Sequence, residues 1–378
     1  MTGVYVHVPF CLGKCLYCSF DSVPAGMWDR AFVESYLASV ASEMERASRR
    51  REFSPVSSVY FGGGTPSVLM PDDVEGILGR VRGLFGLCPG AEVSMEVNPG
   101  TSGAGTLGAF RDAGVNRVSI GGQSFDDSLL MKIGRMHDSG MLERTLASAC
   151  RSGFDSVGVD IIFGFPGYGL DLLVSDLEKA SSFPVDHLSL YMFTPEPGTP
   201  MGDAVLSGAE EAPEDDALAM MMDTAHEILS GRGFEHYEIS NFARGGRRCR
   251  HNMLYWGYGE YLGFGSSACS FLGGVRSRNV SGPFRYAAAV SSGKSPVASA
   301  EKLSARRRMG EYAMLALRTS DGVDAGDFAM RFGRSFSHEF ARVLGPLLSG
   351  GLLVRDGDRF FVPFGRFCLQ SSIAAEFL

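Results

Sequence analysis

The chain has 378 residues, a net charge of −8 and a hydrophobic fraction of 45%. This length predicts about two to three domains with a sizeable core, and the acidic balance argues against a general nucleic-acid or anionic-membrane surface. The opening residues MTGVYVHVPF contain no basic region, and no apolar run of about 18 residues follows. We therefore predict no signal peptide and no transmembrane helix, and we expect a cytoplasmic protein.

Short apolar segments alternate with amphipathic ones along the first half of the chain. We predict six strands, at residues 4–9, 57–61, 92–97, 116–120, 156–163 and 185–193. We predict helices at residues 28–51, 71–85, 126–137, 142–151 and 170–180, and Gly114 and Gly153 stand where helices commonly end. Strands joined by helices form a parallel sheet, and six units are too few for a closed barrel. The predicted fold class is α/β, with a partial (β/α)6 barrel that binds ligands at the carboxyl ends of its strands.

The pattern changes after Gly198. A helix at 214–230 and a strand at 237–242 are predicted before a glycine- and aromatic-rich segment at 244–274. From residue 301 we predict a helix at 304–317, two further helical segments and a hairpin at 351–362 that turns at 356–358. The chain is therefore divided into a barrel (1–235), a barrel extension (236–300) and a small helical, winged-helix-like C-terminal domain (301–378).

Three cysteines lie close together directly after the first predicted strand. Cys11, Cys15 and Cys18 have the spacing C-x3-C-x2-C, which can hold three irons of a [4Fe–4S] cluster and leave the fourth iron open. The open iron can chelate S-adenosylmethionine (SAM), whose sulfonium the reduced cluster cleaves to give a 5′-deoxyadenosyl radical. The alternative is a structural zinc site, but no fourth Cys or His lies nearby downstream to complete it. The motif predicts a radical SAM centre.

Glycine-rich or polar motifs accompany the next four predicted strands. Phe-Gly-Gly-Gly-Thr-Pro66 follows the second, Glu96 and Gln123 stand near the ends of the third and fourth, and Asp160 lies in the fifth. Glycines let backbone N–H groups approach a ligand, although a triple glycine alone could be a plain turn. A buried carboxylate needs a partner such as a ribose hydroxyl, and an ordinary ion pair is the alternative. Because these groups fall near successive strand ends, we predict that they line one site for SAM.

The first strand places Tyr5 and His7 on one face and Val4, Val6 and Val8 on the other. We expect the valines to pack against helices. Tyr5 and His7 should then point into the barrel, near the cluster. The alternative for His7 is a hydrogen-bonded core histidine.

Together these motifs resemble the oxygen-independent coproporphyrinogen III oxidase family, and within it the branch of heme chaperones. The resemblance covers residues 3–272, with a looser likeness from 301 onward to the family's C-terminal domain. Besides the cluster and the triple glycine, it rests on Tyr-Val-His-Val-Pro-Phe-Cys11, Glu-Val-Asn-Pro99, Gly-Gly-Gln-Ser-Phe125, Gly-Arg-Met-His137, Val-Asp-Ile-Ile-Phe-Gly-Phe-Pro166, Tyr-Glu-Ile-Ser-Asn-Phe-Ala243 and Cys-Arg-His-Asn-Met-Leu-Tyr-Trp256.

The resemblance implies a set of SAM-contacting residues, with Tyr17 beside the adenine. They are Tyr5, Tyr17, Gly63, Gly64, Thr65, Glu96, Gln123, Arg135, Asp160 and Thr194. Thr194 and Cys269 stand where the oxidase contacts its SAM molecules, although their residue types differ. Phe20 stands where the oxidase has a fourth cysteine, and the chain begins ten residues before Cys11, without the oxidase's N-terminal extension. Both differences favour the chaperone branch.

The resemblance also associates the motif H-N-x-x-Y-W, at 251–256, with heme. His251 would be the axial ligand, Cys249 offers a thiolate instead, and Tyr255 and Trp256 would stack on the macrocycle. Without the resemblance, the same residues are better explained as the packed base of the barrel, with His251 bonded to backbone.

The first functional hypothesis is a chaperone that binds a [4Fe–4S] cluster, SAM and heme, and delivers the heme to a heme protein such as a membrane respiratory protein. The resemblance implies an electron donor such as flavodoxin or ferredoxin, allows a homodimer, and gives no role to nucleic acid. The second hypothesis is an oxidase that converts coproporphyrinogen III to protoporphyrinogen IX, and the third is a radical SAM enzyme with another substrate. Whether the chain is an enzyme stays open on the sequence.

Overall fold

The structure is a computed structural model that describes residues 2–49 and 53–378. One mixed sheet of 12 strands forms the larger part of it. The strands are β1 (Thr2–Val8), β2 (Val56–Gly63), β3 (Leu87–Val97), β4 (Arg117–Gln123), β5 (Ser156–Phe163), β6 (His187–Met192), β7 (Glu235–Glu238), β8 (Asn241–Ala243), β9 (Glu260–Phe264), β10 (Cys269–Leu272), β11 (Val275–Asn279) and β12 (Val297–Lys302).

Seven neighbouring strands of this sheet are parallel, in the order β9-β1-β2-β3-β4-β5-β6. Antiparallel strands extend both edges, β8 and β7 beyond β6 and β10 to β12 beyond β9. The helices around the sheet are α1 (Arg30–Ser48), α2 (Pro71–Phe85), α3 (Ala104–Asp112), α4 (Asp127–Lys132), α5 (Ser139–Arg151), α6 (Leu170–Ser182), α7 (Pro200–Leu206), α8 (Asp215–Gly231), α9 (Arg250–Trp256) and α10 (Pro283–Ser291).

A second, smaller unit follows β12. Its helices are α11 (Ala305–Ala316), α12 (Ala325–Phe332), α13 (Phe336–Glu339), α14 (Ala341–Ser349) and α15 (Gln370–Ala375), and its strands are β13 (Val323–Asp324), β14 (Val354–Asp356) and β15 (Arg359–Phe361). The antiparallel pair β14 and β15 forms the predicted hairpin. Tyr258 and Phe271 of the large sheet region belong to the apolar core of this unit, so the two parts pack together.

The parallel sheet and its six predicted strands are confirmed, and β5 has the predicted bounds. The alternation of the first strand is also confirmed, because Val4, Val6 and Val8 are completely buried in the core beneath the helices. Asp29 begins α1 by accepting a hydrogen bond from the backbone N–H of Phe32. The predicted end of this helix, at residues 50–51, lies outside the described residues.

Several features of the prediction differ from the structure, and strands β10 to β12 and helices α3, α9 and α10 also lie outside the predicted elements. The helix predicted at 126–137 ends at Lys132, because Gly134 takes a left-handed backbone with φ of 76°. The strand predicted at 237–242 is the hairpin of β7 and β8. The parallel strand β9 was not predicted, and neither was α7. The division of the chain at residues 235 and 300 stays a prediction.

No helix in the described part of the chain is both long enough and apolar enough to cross a membrane.

Candidate functional site

Two adjoining cavities lie at the cysteine loop that follows β1. The first, which we call the cofactor pocket, has a volume of about 330 Å³ and is lined by the three motif cysteines and by residues at the carboxyl ends of β2 to β6. It contains nine of the ten predicted SAM residues, namely Tyr17, Gly63, Gly64, Thr65, Glu96, Gln123, Arg135, Asp160 and Thr194. The tenth, Tyr5, lines the second cavity instead, because the Tyr60 ring, 6.2 Å away, stands between it and the pocket.

Hydrogen-bond donors surround the motif cysteines. The hydroxyl of Thr65 lies 3.5 Å from the Sγ of Cys11, and Nη1 of Arg135 lies 3.4 Å from the Sγ of Cys15. The permanently charged guanidinium therefore lies within hydrogen-bond distance of a sulfur that would bind the cluster. Among the described residues, no three His, Cys, Asp or Glu side chains converge closely enough to hold a single metal ion.

The triple glycine packs tightly against the cysteine loop. A Cβ added at Gly64 would lie 2.9 Å from the carbonyl oxygens of Val8 and Phe10 and 3.0 Å from the Sγ of Cys11. Gly63 has φ of 114°, and a Cβ there would lie 2.5 Å from the ring of His7. Only glycine therefore allows β2 to end this close to the cysteines. The plain-turn alternative does not explain this close approach.

Two partly buried carboxyl groups line the cofactor pocket. Glu96 accepts hydrogen bonds of 3.1 Å from the hydroxyl of Tyr60 and from the backbone N–H of Gly63. Asp160 accepts one of 2.8 Å from the hydroxyl of Ser119. Burial, and then the charge of Asp160, raises the pKa of Glu96 to about 7. A ligand that brings donors or positive charge to Glu96 would favour its ionised form.

Replacing Glu96 with glutamine is expected to stabilise the cofactor-free protein at pH 8 but not at pH 5. The pKa of Glu96 is about 7 in the folded chain against 4.5 for the free side chain. The contribution of Glu96 to the free energy of unfolding of the wild type is therefore fully present below pH 4.5. As the pH rises through 7, this contribution of about 3 kcal/mol is lost. Urea unfolding at both pH values measures the difference. The matched exposed variant Glu75→Gln on α2 should show no such pH dependence, and equal effects of Glu96→Gln at both pH values would contradict the prediction.

Arg135 and Gln123 complete the pocket wall. Arg135 donates through Nη2 to the carbonyl oxygen of Gly121 at 2.5 Å and to Oδ1 of Asn98 at 3.0 Å. Gln123 has a positive φ of 68°, and its buried Oε1 accepts no hydrogen bond from any described residue. A buried oxygen without a donor is costly unless a ligand supplies one. The donor set, the glycine cradle and this unpaired oxygen fit a cluster bound by Cys11, Cys15 and Cys18 with SAM beside it.

The second cavity, which we call the aromatic cavity, has a volume of about 490 Å³. One wall carries Tyr5 and His7 of β1 together with Tyr255 and Trp256 of α9. Strands β9, β10 and β11, which continue the same sheet beyond β1, contribute Tyr261, Cys269, Phe271, Arg276 and Arg278 to the lining. Because side chains alternate between the faces of a strand, the two-residue steps on β10 and β11 place all four of their side chains on one face.

Phe20 and Ser19 line both cavities. The side chain of Phe20 is 65% exposed, although it is a large apolar group. Lys14 donates a hydrogen bond of 2.7 Å to its carbonyl oxygen, which holds this part of the cysteine loop in place. Phe20 is therefore the partition between the cofactor pocket and the aromatic cavity.

The two predicted heme ligands line neither cavity. His251 is completely buried, with Nδ1 at 2.9 Å from the hydroxyl of Ser58 and Nε2 at 2.8 Å from the hydroxyl of Tyr255. Cys249 is also buried, and its thiol lies 3.6 Å from Oε1 of Glu92. Both ring nitrogens of His251 are thus occupied, by side chains rather than by backbone. Heme ligation by either residue stays a prediction, and it would require the side chain to leave these partners.

Comparison with known proteins agrees with the two-part architecture. Residues 5–180 match the radical SAM superfamily, and residues 303–363 match the HemN C-terminal domain. The chain is 36% identical to the heme chaperone HemW of Mycobacterium tuberculosis, over 94% of this chain and 90% of that protein. The chain belongs to the HemW family of radical SAM proteins.

Two further comparisons extend this result. The family member from Bacillus subtilis, also named heme chaperone HemW, is 31% identical over 100% of this chain and 99% of its own. Coproporphyrinogen III oxidase (HemN) from Escherichia coli has the same fold, with a TM-score of 0.85 over 100% of this chain and 89% of that chain, at 22% identity. The partial barrel with its small C-terminal domain is therefore confirmed. Membership of a radical SAM family implies the [4Fe–4S] cluster and SAM as cofactors.

Sequence reasoning missed several residues of the two cavities. Asn98 accepts a hydrogen bond from Arg135, and Tyr60 donates one to Glu96. Arg276 and Arg278 line the aromatic cavity. The two arginines are spaced two residues apart in a short strand, which was a usable signal. Residues 275–300 were assigned no secondary structure, so this pattern was not used.

Proposed function

We propose that this protein binds heme in the aromatic cavity and delivers it to a heme protein, while the cofactor pocket holds a [4Fe–4S] cluster and SAM. One observation carries the proposal: an aromatic-walled cavity bearing two guanidinium groups adjoins the radical SAM pocket. The relatives named heme chaperone HemW support the same function.

The chemistry of the aromatic cavity fits a flat macrocycle with carboxylate substituents. Tyrosine, tryptophan and phenylalanine rings in the lining of the cavity offer faces and edges for stacking. The guanidinium groups of Arg276 and Arg278 can pair with carboxylates, which in heme are the two propionates. The volume of about 490 Å³ lies within the range of small-molecule and cofactor cavities.

The residues of the cofactor pocket would have different roles in binding the cluster and SAM. Cys11, Cys15 and Cys18 would hold the cluster, which supplies low-potential electrons and an open iron for SAM when it is bound. Arg135 lies near the Cys15 sulfur and donates a hydrogen bond to the carbonyl oxygen of Gly121 in β4. Glu96 and Asp160 offer carboxylate oxygens, and the backbone of Gly63 and Gly64 leaves room for a ligand.

The partners follow from the same proposal. The heme acceptor would be a heme protein, such as a respiratory membrane protein, and a flavodoxin or ferredoxin would supply electrons to the cluster. A homodimer is compatible with the proposal. The second candidate is a coproporphyrinogen III oxidase, and the observation that favours it is that the two cavities adjoin, because a substrate in the aromatic cavity would lie next to the cofactor pocket.

The test combines a heme titration with an assay for the oxidase reaction. Cluster-loaded protein is expected to bind heme, to pass it to an apo-cytochrome, and to form no protoporphyrinogen from coproporphyrinogen III with SAM and reductant. Replacing Leu315 of α11, which lines the cavity, with tryptophan should weaken heme binding about ten-fold or more by filling the site.

The matched control is Leu206→Trp on α7, at an exposed position outside the cavity. It should bind heme like the wild type. Protoporphyrinogen formation would support the oxidase instead. Unchanged heme affinity in Leu315→Trp would show that heme does not bind in the aromatic cavity.

A further inference from the structure

The β10–β11 hairpin places a thiol and a guanidinium together in the aromatic cavity. Cys269 of β10 lies directly opposite Arg278 of β11 in the antiparallel register. Opposed residues of such a pair share one face of the sheet, with Cβ atoms roughly 4.5–5.5 Å apart. Both side chains line the aromatic cavity. A soft metal ligand and a carboxylate-binding cation are therefore neighbours on one wall.

Most other groups in the cavity that can bind iron already have partners. The hydroxyl of Tyr5 lies 3.1 Å from Nδ1 of His7, whose Nε2 lies 2.8 Å from the carbonyl oxygen of Asp21. The hydroxyl of Tyr255 is paired with His251. The Sγ of Cys269, by contrast, has within the described chain only a weak contact of 3.9 Å, to the carbonyl oxygen of Ser267. Binding iron through Cys269 breaks no strong hydrogen bond.

Tyr258 and Tyr261 are the remaining phenols of the cavity. Burial raises the pKa of Tyr258 to about 12, and it also raises the pKa of Tyr261 above its usual value. A phenol must lose its proton to bind ferric iron as an anion, so burial opposes ligation by these two side chains. A thiol ionises more readily than a phenol to begin with.

The two arginines of β11 differ in availability. Arg276 is paired with Glu311 of α11, with Nη2 and Oε2 2.6 Å apart. Arg278 is exposed and makes no ion pair or side-chain hydrogen bond with the described residues. A carboxylate that enters the cavity can therefore pair directly with the guanidinium of Arg278. At Arg276 it would have to compete with Glu311.

We propose that Cys269 and Arg278 hold the heme, with the Cys269 thiolate bound to the iron and the Arg278 guanidinium paired with a propionate. This inference rests on the proposed function. When the iron–sulfur bond forms, the thiol proton passes to solvent and ferric iron loses a bound water, so no electron is transferred. The inference places the iron ligand on β10 rather than on α9.

The first test examines the iron. Ferric heme is added to cluster-loaded wild type, Cys269→Ser, Cys249→Ser and Cys368→Ser, and the heme is followed by absorption and electron paramagnetic resonance. Wild type, Cys249→Ser and Cys368→Ser should show a thiolate-bound ferric heme, and Cys269→Ser should bind heme without that signature. An unchanged signature in Cys269→Ser, or its loss in Cys249→Ser, would overturn the assignment. A wild type that binds no heme would overturn the proposed function itself. Cluster content and thermal melting show whether each variant has folded.

The second test examines the propionate. Arg278→Gln should bind heme about ten-fold more weakly than wild type, yet bind heme dimethyl ester, which has no carboxylates, as wild type does. The control Arg342→Gln, at an exposed position on α14, should change neither affinity. Equal losses for both ligands in Arg278→Gln, or no loss for heme, would contradict the role of Arg278.

Discussion

Cys15→Ala is expected to abolish the [4Fe–4S] cluster, with iron falling from about four atoms per chain to near zero after anaerobic reconstitution. Two thiolates cannot hold three irons of a cubane. The change also removes the Cys15 sulfur, which lies 3.4 Å from Nη1 of Arg135. The guanidinium of Arg135 then lacks this hydrogen-bond acceptor inside the protein. Iron and sulfide analysis, with absorption spectra, measures the loss.

Cys150→Ala is the matched control for the cluster prediction. Cys150 lies on α5 and does not line the cofactor pocket. Its variant should keep full iron and sulfide content. Substantial cluster in Cys15→Ala would show that another ligand takes part, and stoichiometric zinc in the wild type would revive the zinc alternative.

His251→Ala is expected to lower the free energy of unfolding by about 3–5 kcal/mol. The imidazole is completely buried, stacks on Tyr60 at 5.2 Å, and connects the hydroxyls of Ser58 and Tyr255. Its removal leaves a cavity and two unpaired hydroxyls between β2 and α9. Urea unfolding measures the loss, and a loss below about 1 kcal/mol would contradict the prediction.

The pH dependence of the same variant provides its control. Burial lowers the pKa of His251 to about 3, so between pH 3 and 6.5 the unfolded chain binds more protons at this residue than the folded chain. Wild-type stability should therefore fall by about 2 kcal/mol between pH 7 and 5 because of His251, and His251→Ala should lack this part. If the wild type and the variant respond equally to pH, His251 is not buried as described.

The sequence predicted the elements whose pattern is local. The bounds of β5 follow from a mostly apolar run that contains Asp160, and the cysteine spacing needs no tertiary information. In contrast, β9 pairs with β1, more than 250 residues away in the chain, and no local pattern distinguishes a parallel strand from the aromatic loop around it. The cavity assignment of Tyr5 depended on the stacked ring of Tyr60, which only the fold brings beside it.

The heme motif shows the same limit more clearly. The residue types in His-Asn-Met-Leu-Tyr-Trp256 alone favour a packed barrel base, and only the family resemblance makes His251 a candidate heme ligand. The structure turns the imidazole inward, because Glu92 of β3 accepts backbone hydrogen bonds from Arg250 and His251 and so fixes the start of α9. The direction of a seven-residue helix thus depends on a carboxylate in a distant strand.

The Phe20 partition has a thermodynamic consequence. Phe20 and Ser19 line both compartments, so ligands bound in the two compartments would share a boundary. Whatever free energy SAM adds to heme binding, heme returns in equal amount to SAM binding, because binding linkage is reciprocal. A substitution at Phe20 therefore tests whether the two sites are coupled.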